Sequence, residues 1–146
     1  MIPETEVELE KWMIENCHNF GEYSINGNHI WEGFGIEKNG NFYHWYFTER
    51  GKREILEIFK TEKEIVEYAY KHISSNKWST SHCIGFLFNE DESKELKNIL
   101  QEMRIEYYQD KIPYSSGEKQ TAYRTFVFGC DIKKVNDLKG NYFKIS

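Results

Sequence analysis

The sequence lacks the features that mark a membrane or exported protein. No apolar run approaches the ~20 residues that a transmembrane helix needs. The amino terminus, MIPETEVELEKWMIEN, carries four glutamates before its first lysine and has no apolar stretch, so export by a signal peptide is not expected. Hydrophobic residues make up 39% and charged residues 29%, which is typical of a soluble globular protein and not of a disordered one.

Cysteine is scarce, and acidic residues outnumber basic ones. The three cysteines are an odd number, are widely spaced and form no C-x-x-C pair, which favours a reduced, cytoplasmic location. The 19 basic residues are outnumbered by 24 acidic ones, for a net charge of −5. Since nucleic-acid binding proteins gain affinity by neutralising phosphates, we expect neither a nucleic-acid nor a membrane partner. An acidic balance fits a basic protein partner better.

No linker and no internal repeat divides the chain. Its 146 residues are long enough to bury roughly two-thirds of the surface that the unfolded chain exposes. We therefore predict a single globular domain over residues 1–146.

The amino-terminal half is predicted to contain one helix and a meander of three antiparallel strands. Apolar residues at helical spacing predict the helix over residues 4–18, with Gly21 after its end. His29–Phe59 then holds three runs of aromatic and β-branched residues. Asn39-Gly40 and Gly51 separate the runs, and such residues accept the positive φ of hairpin turns.

The carboxyl-terminal half is predicted to follow the order β-α-β-β-α-β of a ferredoxin-like unit. A separate helix is predicted before this unit. It begins at Thr61, where T-E-K-E has the form of a capping box. The apolar run 83–88 predicts a central strand that is buried on both faces. The remaining elements are predicted as a helix after Asn89, strands over 105–112 and 121–128, a short helix over 131–138 and an edge strand over 142–145. The fold class is therefore α+β, with helices packed on an antiparallel or mixed sheet.

A search for catalytic and metal-binding motifs finds none. The pairs Cys17-His18 and His82-Cys83 lack the ligand spacing of a zinc site. Carboxylates occur throughout the meander, but no spacing specifies a pair for acid-base chemistry. Gly33 and Gly35 form an isolated G-x-G, better explained by close packing than by phosphate binding. We predict no catalytic residue, no metal and no cofactor.

His44 is the best candidate for a small-molecule site. At period two it shares a strand face with Phe42 and Tyr46, while Tyr43, Trp45 and Phe47 share the other. Such a face either binds a ligand or packs a half-buried histidine among aromatic rings. The sequence leaves both interpretations open.

The aromatic content of 16% exceeds what a minimal core requires. Some rings must therefore lie near the surface, where Tyr and Trp are frequent anchors of protein interfaces. An aromatic platform for nucleic acid needs flanking positive charge. Glutamate flanks these rings as often as lysine does, so a protein partner is favoured.

Residues 43–70, YHWYFTERGKREILEIFKTEKEIVEYAY, resemble the immunity proteins of bacterial polymorphic toxin and contact-dependent growth inhibition systems. In one such family an aromatic Tyr-His strand leads into Glu-Arg-Gly, a further strand and a T-x-x-E-[IL] helix start. The matching residues are Tyr43, His44, Glu49, Arg50, Gly51, Thr61, Glu64, Ile65 and Tyr68. The resemblance implies a small cytoplasmic bacterial protein that binds the toxic carboxyl-terminal domain of a cognate effector and blocks its active site without catalysis.

The resulting hypothesis is a toxin inhibitor that acts by protein-protein interaction. Many such toxins are nucleases with basic clefts, which an acidic surface would occupy. Two alternatives stay open: a small-ligand or enzymatic α+β domain with a site near His44, and a regulatory protein-interaction module. The oligomeric state is not predicted. The candidate toxin-binding residues are Tyr43 and Trp45 for contact energy, and Glu32, Glu37 and Glu49 for charge complementarity.

Overall fold

The computed structural model describes residues 2–115 and 119–144, and the chain separates into two compact units, Met1–Thr80 and Ser81–Ser146. Each unit contains its own sheet and its own hydrophobic core. The α+β class is therefore confirmed.

The elements of the amino-terminal unit are α1 (Glu6–Glu15), β1 (Tyr23–Ser24), β2 (Gly33–Asn39), β3 (Phe42–Glu49), β4 (Lys52–Phe59), α2 (Glu62–Ser74) and a 3₁₀ turn (Lys77–Thr80). Those of the carboxyl-terminal unit are β5 (Ser81–Leu87), α3 (Glu90–Glu102), β6 (Tyr107–Ser115), β7 (Lys119–Phe128), α4 (Ile132–Val135) and α5 (Lys139–Tyr142). Two 3₁₀ turns, Gly129–Asp131 and Asn136–Leu138, flank α4.

The predicted meander is confirmed as β2, β3 and β4. These strands pair in an antiparallel manner, and β1 adds to β2 in parallel, so the sheet order is β1-β2-β3-β4. The first turn lies one residue later than predicted, because Asn39 still pairs with Phe42 and Gly40 takes the positive φ of 62°. At the second turn Arg50 and Gly51 both have positive φ, of 52° and 79°.

Side-chain caps fix the start of both helices in this unit. The hydroxyl of Thr5 accepts a hydrogen bond from the Glu8 amide, and that of Thr61 accepts one from the Glu64 amide. These bonds satisfy first-turn amides that have no partner within the helix. Helix α1 ends at Glu15, earlier than predicted, and the positive φ of 58° at Cys17 turns the chain away.

The core of the amino-terminal unit lies between its two helices and one face of its sheet. Leucine, methionine and isoleucine side chains of the helices meet aromatic rings of the strands, and Trp45 is only 1% exposed. The fully packed members are Leu9, Met13, Tyr23, Ile25, Ile36, Trp45, Ile65, Val66, Ala69 and Ile73.

The carboxyl-terminal unit has an antiparallel sheet with the order β5-β7-β6. The prediction that residues 83–88 form the central strand is wrong, because β7 lies between the other two. Strand β5 is nevertheless well buried from Ile84 to Leu87. Phe143 forms a parallel bridge to Phe86, and the Lys144 amide donates to the Phe86 carbonyl at 2.9 Å. This segment covers the side of β5 that β7 leaves open.

The ferredoxin-like prediction holds for the first five elements, β-α-β-β-α, with the short helix observed as α4 and its flanking 3₁₀ turns, and fails at the last strand. The predicted last strand, 142–145, is replaced by α5 and the single bridge at Phe143, while Ile145 lies outside the described residues. Strand β6 continues through Pro113, although the sequence predicted that it would end there. An edge strand tolerates proline because one side of its backbone needs no ladder partner.

Candidate functional site

Strand pairing sorts the side chains of the amino-terminal sheet into two faces. Residues that pair directly share a face, so Tyr43 and Phe59 lie on the face toward the helices, while Glu37, His44 and Ile58 lie on the other. The predicted division at period two within β3 is confirmed. We call the face that is turned away from the helices the outer face. It carries Glu37, Phe42, His44, Tyr46, Thr48, Arg53, Ile55 and Ile58.

Large apolar side chains are exposed on this outer face. Phe42 is 46% exposed, Ile55 is 48% exposed and Ile58 is 59% exposed. Exposed apolar side chains gathered on one face of a sheet are a feature of interaction surfaces. The outer face shares that feature.

A charged stack organises the middle of the outer face. The guanidinium carbon of Arg53 lies 3.9 Å from the centroid of the Tyr46 ring, and Arg53 Nη1 donates to Glu37 Oε2 at 2.5 Å. Beneath it, a Cβ added to Gly35 would lie 2.4 Å from the Tyr46 hydroxyl. At Gly33, where φ is 142°, an added Cβ would lie 2.1 Å from the Glu22 carbonyl oxygen. The interpretation of G-x-G as close packing is thus confirmed.

A pocket of about 650 Å³ lies beside this stack. Ser24, Asn28, Trp31 and Thr48 line it together with the Glu37–Arg53 pair. His44, the residue singled out for a small-molecule site, does not line this pocket. Glu37 and Arg53 also neutralise each other, so neither of them offers an unpaired charge to a ligand in this pocket.

The segment between β1 and β2 holds one tryptophan outward. Asn28 Oδ1 accepts from the Ile25 amide at 2.8 Å, and Asn28 Nδ2 donates to the carbonyls of Phe20 and Tyr23 at 3.1 and 2.9 Å. Ile30 is buried, whereas Trp31 is 84% exposed. The backbone is therefore anchored just before the exposed indole.

The structure brings two of the five predicted contact residues together around Trp31. Glu32 and Glu49 line one depression of about 400 Å³ with Trp31, Arg50 and Gly51. Residues of the β3–β4 turn and residues just before β2 thus meet here. Both glutamates were expected from the sequence, whereas Trp31 was not.

The other three predicted residues lie elsewhere. Glu37 is on the outer face, paired with Arg53. Tyr43 is half-buried on the face toward the helices, where Lys38 Nζ lies 5.8 Å from its ring centroid. Trp45 is buried in the core, so its assignment as a contact anchor is corrected: its ring stacks on Phe34 with centroids 5.7 Å apart.

A buried polar contact joins sheet and helix behind this surface. The Tyr23 hydroxyl lies 3.0 Å from His72 Nδ1 and accepts from Asn76 Nδ2 at 3.1 Å. Burial lowers the pKa of His72 and raises the pKa of Tyr23. Both groups are thereby kept neutral, and the contact has a structural role.

Within residues 2–115 and 119–144, no group of three or more His, Cys, Asp or Glu side chains is arranged to hold a metal ion. Over the same part of the chain, no helix is both long and apolar enough to cross a membrane. Comparison with protein-family models, curated proteins and solved structures gives no match for this chain.

Proposed function

We propose that this chain is an immunity protein, which binds and neutralises the toxic domain of a cognate bacterial toxin in the cytoplasm without catalysing a reaction. A nuclease domain is the toxin class that fits best, because its phosphate-binding cleft is basic. Binding over that cleft would exclude the substrate.

The observation that carries the proposal is the exposed aromatic and apolar surface of the amino-terminal unit. Trp31 is 84% exposed on an anchored segment, and Phe42, Ile55 and Ile58 are exposed on the outer face of the sheet. Exposing such side chains costs free energy that burial against a partner recovers. Tryptophan is also among the residues most enriched at energetic hot spots of interfaces.

The charge distribution supports a basic partner. Residues 1–80 contain 14 of the 24 acidic residues and 9 of the 19 basic ones, whereas residues 81–146 contain ten of each. The entire net charge of −5 therefore belongs to the unit that carries the exposed aromatic surface. Opposite charge on two partners speeds their encounter, and like charge rejects acidic partners.

The residues that carry the resemblance to immunity proteins fit the same unit. Glu49, Arg50 and Gly51 form the end of β3 and the turn to β4, Thr61 caps α2, and Ile65 is buried in the core. Most of these positions maintain the scaffold. Glu49 and Arg50 differ, because they also line the depression beside Trp31.

Co-purification tests the proposal directly. The toxin would be the carboxyl-terminal domain encoded by the gene adjacent to this one, inactivated by substitution and co-expressed with the tagged chain. We expect a stable complex, and we expect the Trp31→Ala, Ile58→Asp double variant to lose it. The matched control is Glu102→Gln, an exposed position on α3 of the other unit. A toxin domain that elutes without the tagged chain contradicts the proposal.

A further inference from the structure

A second depression beside Trp31 has an unusual lining. It measures about 450 Å³ and lies where the chain enters β1, β2 begins and β3 approaches its end. Three aromatic residues, Trp31, Phe34 and Phe47, and two acidic residues, Glu22 and Glu32, line it. The remaining lining residues are glycines, and the described lining includes no lysine or arginine.

This combination matches the chemistry of a cation. The faces of aromatic rings carry negative potential and attract ammonium and guanidinium groups, with tryptophan the most effective. The carboxylates add opposite charge and accept hydrogen bonds, so they favour a donor-bearing cation. A neutral apolar ligand would gain nothing from Glu22 and Glu32.

The walls of the depression are held in place by the fold. The Phe34 amide donates to the Glu22 carbonyl at 2.9 Å, and an added Cβ at Gly33 would collide with the same carbonyl. The Phe34 and Phe47 rings contact each other with centroids 5.2 Å apart. Trp31 follows the segment anchored by Asn28. A pre-formed receptor loses little conformational entropy on binding.

We propose that this depression, the cation pocket, receives a lysine or arginine side chain from the surface of a protein partner. The inference rests on the proposed function and deepens it, because it specifies which chemical group of a basic toxin surface is recognised and where. Trp31 supplies the principal contact, and Glu22 and Glu32 orient the charged group.

The test uses the full ¹⁵N-labelled chain, with tri-arginine amide as the probe and tri-glutamine amide as its neutral match. The chain has four tryptophans, and Trp31→Phe identifies the indole signal of Trp31. We expect that signal to shift saturably with tri-arginine and to remain in place with tri-glutamine. An equal response to both peptides, or a shift spread evenly over all four indoles, overturns the proposal.

Matched variants separate the pocket from general attraction to an acidic protein. Followed at the Gly33 amide, the affinity for tri-arginine should fall about tenfold in Trp31→Ala and about threefold in Glu32→Gln. Glu102→Gln, with the same charge change on α3, should leave the affinity unchanged. Equal weakening by Glu32→Gln and Glu102→Gln overturns the proposal. The proposal is also overturned if the chain associates with itself and Trp31→Ala abolishes that association.

The same variants distinguish this inference from the proposed function. Toxin binding that survives Trp31→Ala unchanged overturns the cation pocket and leaves the immunity function in place. Tri-arginine binding at Trp31 in a chain that binds no toxin domain has the opposite meaning: it supports the pocket and contradicts the immunity function.

Discussion

The guanidinium of Arg53 lies over the ring of Tyr46, 3.9 Å from carbon to centroid, and Glu37 holds it there. Tyr46 is only 3% exposed although it lies on the outer face, and the stacked Arg53 side chain covers its ring. We expect Arg53→Ala to destabilise the amino-terminal unit by about 1 kcal/mol, since it removes an exposed cation–π contact and a surface ion pair.

Urea unfolding followed by tryptophan fluorescence measures this change. Lys52→Ala is the matched control, because it removes a neighbouring exposed cation from the same strand. Arg53→Lys should retain only part of the stability, since an ammonium cannot stack as a planar guanidinium does. Equal stability of Arg53→Ala and Lys52→Ala would show that the stack contributes nothing.

Gly35 should tolerate no side chain. An alanine Cβ would lie 2.4 Å from the Tyr46 hydroxyl and 2.9 Å from the Ser24 Cβ, so the Tyr46 ring must move. We expect Gly35→Ala to cost about 1–3 kcal/mol, as overpacking of a close contact does. Gly21→Ala is the control, because an added Cβ there meets nothing within 4 Å. Thermal melts of the two variants that coincide would refute the close-packing explanation.

The stability of the amino-terminal unit should fall as the pH falls below 7. Burial lowers the pKa of His72 from its ordinary 6.5, so the unfolded chain takes up the proton first and the folded state loses stability between 6.5 and the lowered pKa. Burial raises the pKa of Glu6 above 4.5, and this acts in the opposite direction at lower pH. The His72 effect should therefore dominate just below pH 6.5.

Urea unfolding at pH 7.0 and pH 6.0 checks this prediction. The wild-type chain should be less stable at the lower pH, and His72→Gln should show a smaller difference between the two values. His29→Gln is the control, since His29 is exposed. An unchanged pH dependence in His72→Gln would mean that another group is responsible.

In the carboxyl-terminal unit, Tyr142 ties α5 to α3. Its hydroxyl donates to Glu95 Oε1 at 2.5 Å, which raises the pKa of Tyr142 to about 12. This stabilisation is complete below pH 10 and is lost as the pH rises toward 12. We expect Tyr142→Phe to cost about 1.5–3 kcal/mol at pH 7, the range for a hydrogen bond to a charged group.

Ultraviolet titration of the phenolic groups measures the pKa, and Glu95→Gln should lower the value for Tyr142. Tyr108→Phe provides a matched tyrosine substitution within the same unit. If Tyr142→Phe and Glu95→Gln leave both stability and the titration unchanged, the bond does not hold α5 in place.

Local sequence signals predicted the start of α2 and the meander correctly. The hydroxyl of Thr61 needs only its own first turn to act as a cap, and the turn at Arg50-Gly51 needs only backbone conformations that glycine and arginine adopt locally. The alternation of side chains along a strand also divided the β3 residues correctly between two faces, because this alternation follows from strand geometry alone.

The position of each strand and face within the fold was harder to predict. Alternation groups Trp45 with Tyr43 but does not say which group the helices cover, so Trp45 was assigned to the surface and lies in the core. Strand β5 is apolar enough for a central strand. The central position is nevertheless taken by β7, which comes later in the chain and pairs with both β5 and β6. Trp31 lies outside any strand, so strand alternation says nothing about its exposure.

The most direct test of the immunity function is the growth of bacteria that express the active toxin domain from the adjacent gene. Growth should stop when the toxin is expressed alone, recover when this chain is co-expressed, and fail again when the chain carries Trp31→Ala and Ile58→Asp. Glu102→Gln should protect as the wild-type chain does. Cells that remain inhibited despite a folded, co-expressed wild-type chain would contradict the account.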